Sequence, residues 1–146
     1  MKSFTEQLRR HSVALISLAV AITGLAYNTW RNELSEENRT VREAAIAALM
    51  HVGEFEKRVN LARWGMQNGR QDNLIDAWSY VQTLNDLKTL MPAGAEKEIQ
   101  RLHEVWTVQA GSLQKSGDPG DRATKAITDE ISAVRLRLIS VLESLT

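Results

Sequence analysis

His11, His51 and His103 are the imidazoles of the chain, and no cysteine accompanies them. Imidazole acts near neutral pH as general base, nucleophile or metal ligand, so these three residues bound the chemistry the chain can do. Without thiols there is no disulfide, thiolate zinc site, iron–sulfur cluster or cysteine nucleophile. A carboxylate-bridged metal bundle needs Glu-x-x-His on two helices and two further inward glutamates. Ala48 stands three residues before His51 and Gln100 three before His103, so that motif is missing. His51-x-x-Glu54 is the reversed order on a helix edge. The chain also lacks the phosphate-cradling Gly-x-x-x-x-Gly-Lys string, Gly-x-Gly-x-x-Gly and Gly-x-Ser-x-Gly. The acids and bases follow helix exteriors, where Glu54 and Arg58 sit at paired i,i+4 spacing and Asp129 faces only Ala133. On this reading the chain has no catalytic, cofactor-binding or metal-ligating residues and is not an enzyme.

What must the elements around these residues be? Ser12 to Trp30 is a run of 19 residues without a charge. As a helix it is roughly 28 Å long, against about 30 Å of hydrocarbon in a bilayer. Arg9 and Arg10 bound it on one side and Arg31 on the other, with Tyr27 and Trp30 at the interface level. A signal peptide cut after Ala19-Val20-Ala21 would leave only Val13 to Leu18 as its apolar core, so an uncleaved signal anchor is expected. Ser17, Ala21, Gly24 and Asn28 recur at 4-3-4 spacing and form a small or polar face suited to packing against another transmembrane helix. Lys2, Arg9 and Arg10 tie in number with Arg31, Arg39 and Arg42, but Arg9 and Arg10 abut the membrane, which favours a cytoplasmic N-terminus.

Beyond Arg31 the sequence predicts four amphipathic helices. Val41, Ala45, Ala48, Val52, Phe55, Val59, Ala62 and Met66 keep an unbroken 4-3 seam over a first helix of about 34–66. Gln67 to Asp72 breaks it, with Gly69 after the helix end and Asp72 as the next N-cap. The second helix, about 73–91, carries Leu74, Ala77, Trp78, Val81, Leu84, Leu87 and Met91, and Pro92-Ala93-Gly94 ends it. The third, about 95–115, carries Ile99, Leu102, Trp106, Ala110 and Leu113. Ser116 to Gly120 reads as a loop before a fourth helix, about 121–145, with Ala123, Ile127, Ile131, Val134, Leu138, Val141 and Leu145. Short connections favour antiparallel neighbours. The expected fold is all-α, an N-terminal transmembrane helix continuing through a stalk into an up-down-up-down four-helix bundle. The domains are 1–11 as flank, 12–30 as transmembrane helix, 31–40 as stalk and 41–146 as bundle. Trp64, Trp78 and Trp106 are expected in the interior or at its edge.

The first bundle helix overshoots its neighbours, which is what assigns the stalk; a fresh helix start capped by Ser35-Glu36-Glu37 is the alternative. Asn38 lies on the stalk's seam between Leu34 and Val41, where a polar residue can fix register with a partner helix. Formal net charge is zero, and the body after residue 11 holds 15 basic against 17 acidic residues, so no nucleic-acid partner is expected. The partners expected are the bilayer and a protein, or a second copy met through the transmembrane helix and stalk.

Tyr27-Asn28-Thr29-Trp30-Arg31-Asn32-Glu33-Leu34-Ser35-Glu36-Glu37-Asn38-Arg39 resembles the juxtamembrane segment of small bacterial single-pass inner-membrane proteins, over roughly residues 12–45. The resemblance implies a bacterial cytoplasmic membrane and no activity; with the cytoplasmic N-terminus that Arg9 and Arg10 favour, the bundle is expected on the periplasmic side. The architecture also resembles the ligand-binding bundles of bacterial chemoreceptors, which carry a second transmembrane helix and a signalling region that are not found here. Two functions follow as expectations: a non-enzymatic, membrane-anchored interaction, scaffold or regulatory bundle, or a sensory bundle that binds a small ligand between helices, lined by the tryptophans and Arg63.

Overall fold

A computed structural model describes the backbone of residues 4–67, 70–71 and 74–145 and the side chains of 12–65 and 74–145. The apolar spacing folds as it reads. Helix α1 spans Phe4–Trp64, α2 Leu74–Leu87, α3 Ala93–Leu113 and α4 Asp118–Ser144. A single 3-10 turn, Lys88–Leu90, tightens the end of α2. Between α1 and α2 two short strands, β1 (Met66–Gln67) and β2 (Arg70–Gln71), pair antiparallel with Met66 opposite Gln71 and Gln67 opposite Arg70. Apart from this two-residue ladder the described chain is all-α. Gly69 and Asp72, the expected cap and N-cap, lie outside the described residues, as do the side chains of His11 and Met66.

The chain divides into two compact units, Met1–Asn38 and Arg39–Thr146. α1 runs helically through Ser35, Glu36 and Glu37, so no helix starts there. The described residues of the first unit are helix throughout. The second unit is held by the seams. Ala45, Ala48, Val52, Phe55, Val59 and Ala62 of α1 are buried, with Ala77, Val81 and Leu84 of α2. From α3 come Ile99, Leu102, Trp106 and Leu113, and from α4 Ile127, Ile131, Val134 and Leu138. Among the described residues no polar or charged residue is fully buried, so burial of apolar area is the dominant favourable term here. Contacts between successive helices run in opposite senses. His51 faces Tyr80 with ring centroids 5.9 Å apart, and Arg58 reaches Asp76 at 3.3 Å. Trp78 meets Trp106 at 5.8 Å, and Lys88 donates to Gln100 further along. From α1 to α4, Arg42 donates to the Leu145 carbonyl at 2.6 Å, Glu56 pairs with Arg135 at 2.5 Å, and Arg63 pairs with Asp121.

Helix starts differ from the sequence reading for identifiable reasons. Pro92 is the N-cap of α3 rather than part of a longer break: at φ −58° it is preset for the helix that begins at Ala93. α4 begins inside the Ser116–Gly120 stretch. Pro119 stands in its first turn, where a missing N–H removes no intrahelical bond. Gly117 precedes it at φ 73° and ψ −153°, a conformation that essentially only glycine adopts. The tryptophans separate. Trp106 is fully buried, Trp78 is 38% exposed at the edge, and Trp64 is 67% exposed. Trp64 follows Ala62 of the seam by two residues, which turns it about 200° away from the core.

Candidate docking surfaces

Among the described residues one helix, within Ser12–Trp64, is long and apolar enough to cross a membrane, and none of its apolar window is buried by the protein. Val13 is 76% exposed and Leu25 69%. Within this stretch Thr23 donates its hydroxyl to the Ala19 carbonyl at 2.8 Å, so its one strong donor is satisfied inside the helix. Tyr27 and Trp30 stack as a tilted pair with centroids 6.3 Å apart. Ser17, Ala21, Gly24 and Asn28 are all exposed on one face, and a Cβ added at Gly24 would meet nothing within 4 Å. Asn38 is exposed as well, but ten residues beyond Asn28 it falls about 80° around the helix, on a different face.

The bundle's histidines do not meet. His51 on α1 is half-buried against Tyr80, and His103 on α3 is half-buried against Trp78 with centroids 6.5 Å apart. Helix α2 supplies both aromatic partners. Among the described residues no three His, Asp or Glu side chains are placed to hold a metal ion. Inside the bundle Phe55 meets Trp106 edge-on at 5.0 Å, and Trp78 completes the cluster. The Trp106 indole N–H is buried with no acceptor among the described residues, which costs roughly 1–3 kcal/mol.

Arg63 is committed elsewhere. Its side chain is only 10% exposed and reaches from α1 into the α3–α4 turn. There it donates to the Lys115 carbonyl at 3.1 Å and pairs with Asp121 in the first turn of α4. One guanidinium thus satisfies a carbonyl of the turn just past α3 and holds an acid at the positive start of α4. Its Cζ lies 4.5 Å from the Trp64 ring centroid, a cation–π contact. The Arg63–Trp64 pair and the Trp78–Trp106 pair are separate clusters, so the structure does not bring the expected ligand-lining residues together.

The outer face of α1 escaped the sequence reading. Ile46, Met50, Gly53, Lys57, Asn60 and Trp64 follow 4-3-4-3-4 spacing, on a stripe centred about 150° around the helix from the buried seam. Met50 is 70% exposed and Ile46 48%. An open groove runs along Gly53, Glu56, Lys57, Asn60, Leu61 and Trp64. The signal was a second heptad on the same helix, masked by the cleaner apolar one. Comparison with known proteins finds no match among family models, curated proteins or solved structures.

Proposed function

We propose that this chain is a membrane-anchored helical bundle that docks on a protein partner, without catalysis of its own. The carrying observation is the apolar stretch of α1, uncovered by the protein over a length that matches a bilayer. The tilted Tyr27–Trp30 pair and Arg31 supply an interfacial anchor at one end. Arg9 and Arg10 favour a cytoplasmic N-terminus, which sets the bundle on the outer side of a bacterial cytoplasmic membrane. Ser17, Ala21, Gly24 and Asn28 offer a close-packing face within the bilayer, and Asn38 a polar seam position beside it. The test is alkaline carbonate extraction of the full chain, paired with reporters fused after Thr146, one active only outside the cytoplasm and one only inside. Retention in the membrane with outside activity is expected. Release by carbonate overturns the anchor, and inside activity overturns the orientation.

A second reading is a sensory bundle, and the buried, unpartnered indole N–H of Trp106 is what favours it. A ligand with a carbonyl or hydroxyl acceptor seated there would raise the melting temperature, because binding to the folded state alone must stabilise it. A thermal-shift screen in which no such compound acts removes this reading.

A further inference from the structure

We propose that a second copy of this chain packs along the outer face of α1, forming a parallel, in-register pair seamed by Ile46, Met50, Gly53, Lys57, Asn60 and Trp64. The inference rests on the anchored reading above. Two anchored copies share one orientation and one height, so each residue of this face meets its own counterpart. The spacing is that of alternate core positions in a two-stranded coiled coil, repeated on the side of α1 that its own bundle leaves uncovered. Gly53, Glu56, Lys57 and Asn60 stand at i, i+3, i+4 and i+7 and line the open groove. Four residues so spaced make the hole that receives one side chain of a facing helix.

What fills the hole in register is the partner copy's lysine at 57. Space for its stem is there, because a Cβ at Gly53 would meet nothing within 4 Å. Charge is matched as well. Glu56 lines the groove, with Arg135 on its Oε2; Lys57 of the single chain rests 3.6 Å from Glu54 in an exposed ion pair, which water screens and which an exchange to the partner's Glu56 replaces at little cost. Asn60 is self-complementary, since a side-chain amide both donates and accepts and can pair with its own counterpart across a two-fold axis. Polar residues such as Lys and Asn at core positions of a coiled coil set register and copy number at a cost in stability, and this seam carries both.

The chain has no cysteine, so single introduced thiols report this pairing without background. Met50→Cys and Asn60→Cys, each in the full chain in its own membrane, are expected to form covalent homodimers under mild oxidation, whereas Val108→Cys on exposed α3 is not. Adding Gly53→Glu to Met50→Cys is expected to abolish the crosslink while leaving helicity and the melting temperature intact, because the new side chain meets open space. The proposal is overturned if membrane-retained protein gives no homodimer at Met50→Cys or Asn60→Cys. It is equally overturned if Val108→Cys crosslinks as well, or if the captured species is a different polypeptide. Carbonate release of the unsubstituted chain would instead refute the anchored reading, and this proposal with it.

Discussion

Replacing Gly120 by alanine is expected to unfold the bundle more readily, although alanine is ordinarily the better helix former. Gly120 is buried in the first turn of α4. A Cβ there would lie 2.1 Å from the Lys115 carbonyl oxygen and 3.0 Å from the Arg63 guanidinium. The first contact is with backbone, so the turn itself must shift, and overpacking of this kind costs about 1–3 kcal/mol. Lys115 is also the carbonyl that Arg63 bonds, and loss of a hydrogen bond to a charged group adds about 1.5 kcal/mol. Helix propensity returns at most about 1 kcal/mol. The net is about 2–3 kcal/mol, and at about 4 °C per kcal/mol for a domain of this size the melting temperature falls by roughly 10 °C. Thermal unfolding followed by far-ultraviolet circular dichroism, on the full chain in detergent, measures it. Gly111→Ala is the internal comparison: a Cβ there meets nothing within 4 Å, so that substitution is expected to stabilise by about 0.5–1 kcal/mol. Should Gly120→Ala raise the melting temperature as Gly111→Ala does, the account of the α3–α4 turn is wrong.

Trp106→Ala is expected to cost about 3–5 kcal/mol, read as a lowered denaturant midpoint, because it empties the space packed against Phe55 and Trp78. Trp106→Phe keeps most of the ring and deletes the unpartnered N–H, so its loss should be clearly smaller in the same titration. Gly117→Ala forces a side chain into a glycine-only backbone region and should cost about 1–3 kcal/mol by thermal unfolding. A double-mutant cycle on Glu56 and Arg135, whose side chains are 31% and 37% exposed, should return a coupling of only about 0.5 kcal/mol, since water screens the pair.

The core was legible because each seam is a one-dimensional pattern. Ala45, Val52, Phe55 and Val59, or Ile127, Ile131, Val134 and Leu138, announce their burial by spacing alone. Helix starts at Pro92 and Pro119 were harder, because proline breaks a helix interior yet opens a first turn, and only flanking geometry decides which. Arg63 was not legible at all. Its partners Lys115 and Asp121 lie 52 and 58 residues away, and nothing local marks an arginine that closes a distant turn. Trp64 misled because tryptophan is usually buried, whereas its two-residue step from Ala62 already turned it outward. The outer stripe of α1 was readable but mixed in polarity, with Lys57 and Asn60 between Met50 and Trp64, and so was overshadowed.

The wide sequence separation between α1 and α4 sets an order of events during synthesis. α3 and α4 are joined by a four-residue turn, so their contacts close short loops and form quickly. Arg63–Asp121, Glu56–Arg135 and Arg42–Leu145 close loops of 58, 79 and 103 residues. Helix α1 emerges first and its companion α4 last. At translation rates of about 5–20 residues per second, the part of the seam from Ala45 to Ala62 that α4 covers waits several seconds for it. Over that interval the nascent chain carries two apolar surfaces, the stretch at residues 12–30 and this seam. On the anchored reading, early transfer of the first into lipid would leave only the second to be shielded, by α2 first and by α4 last.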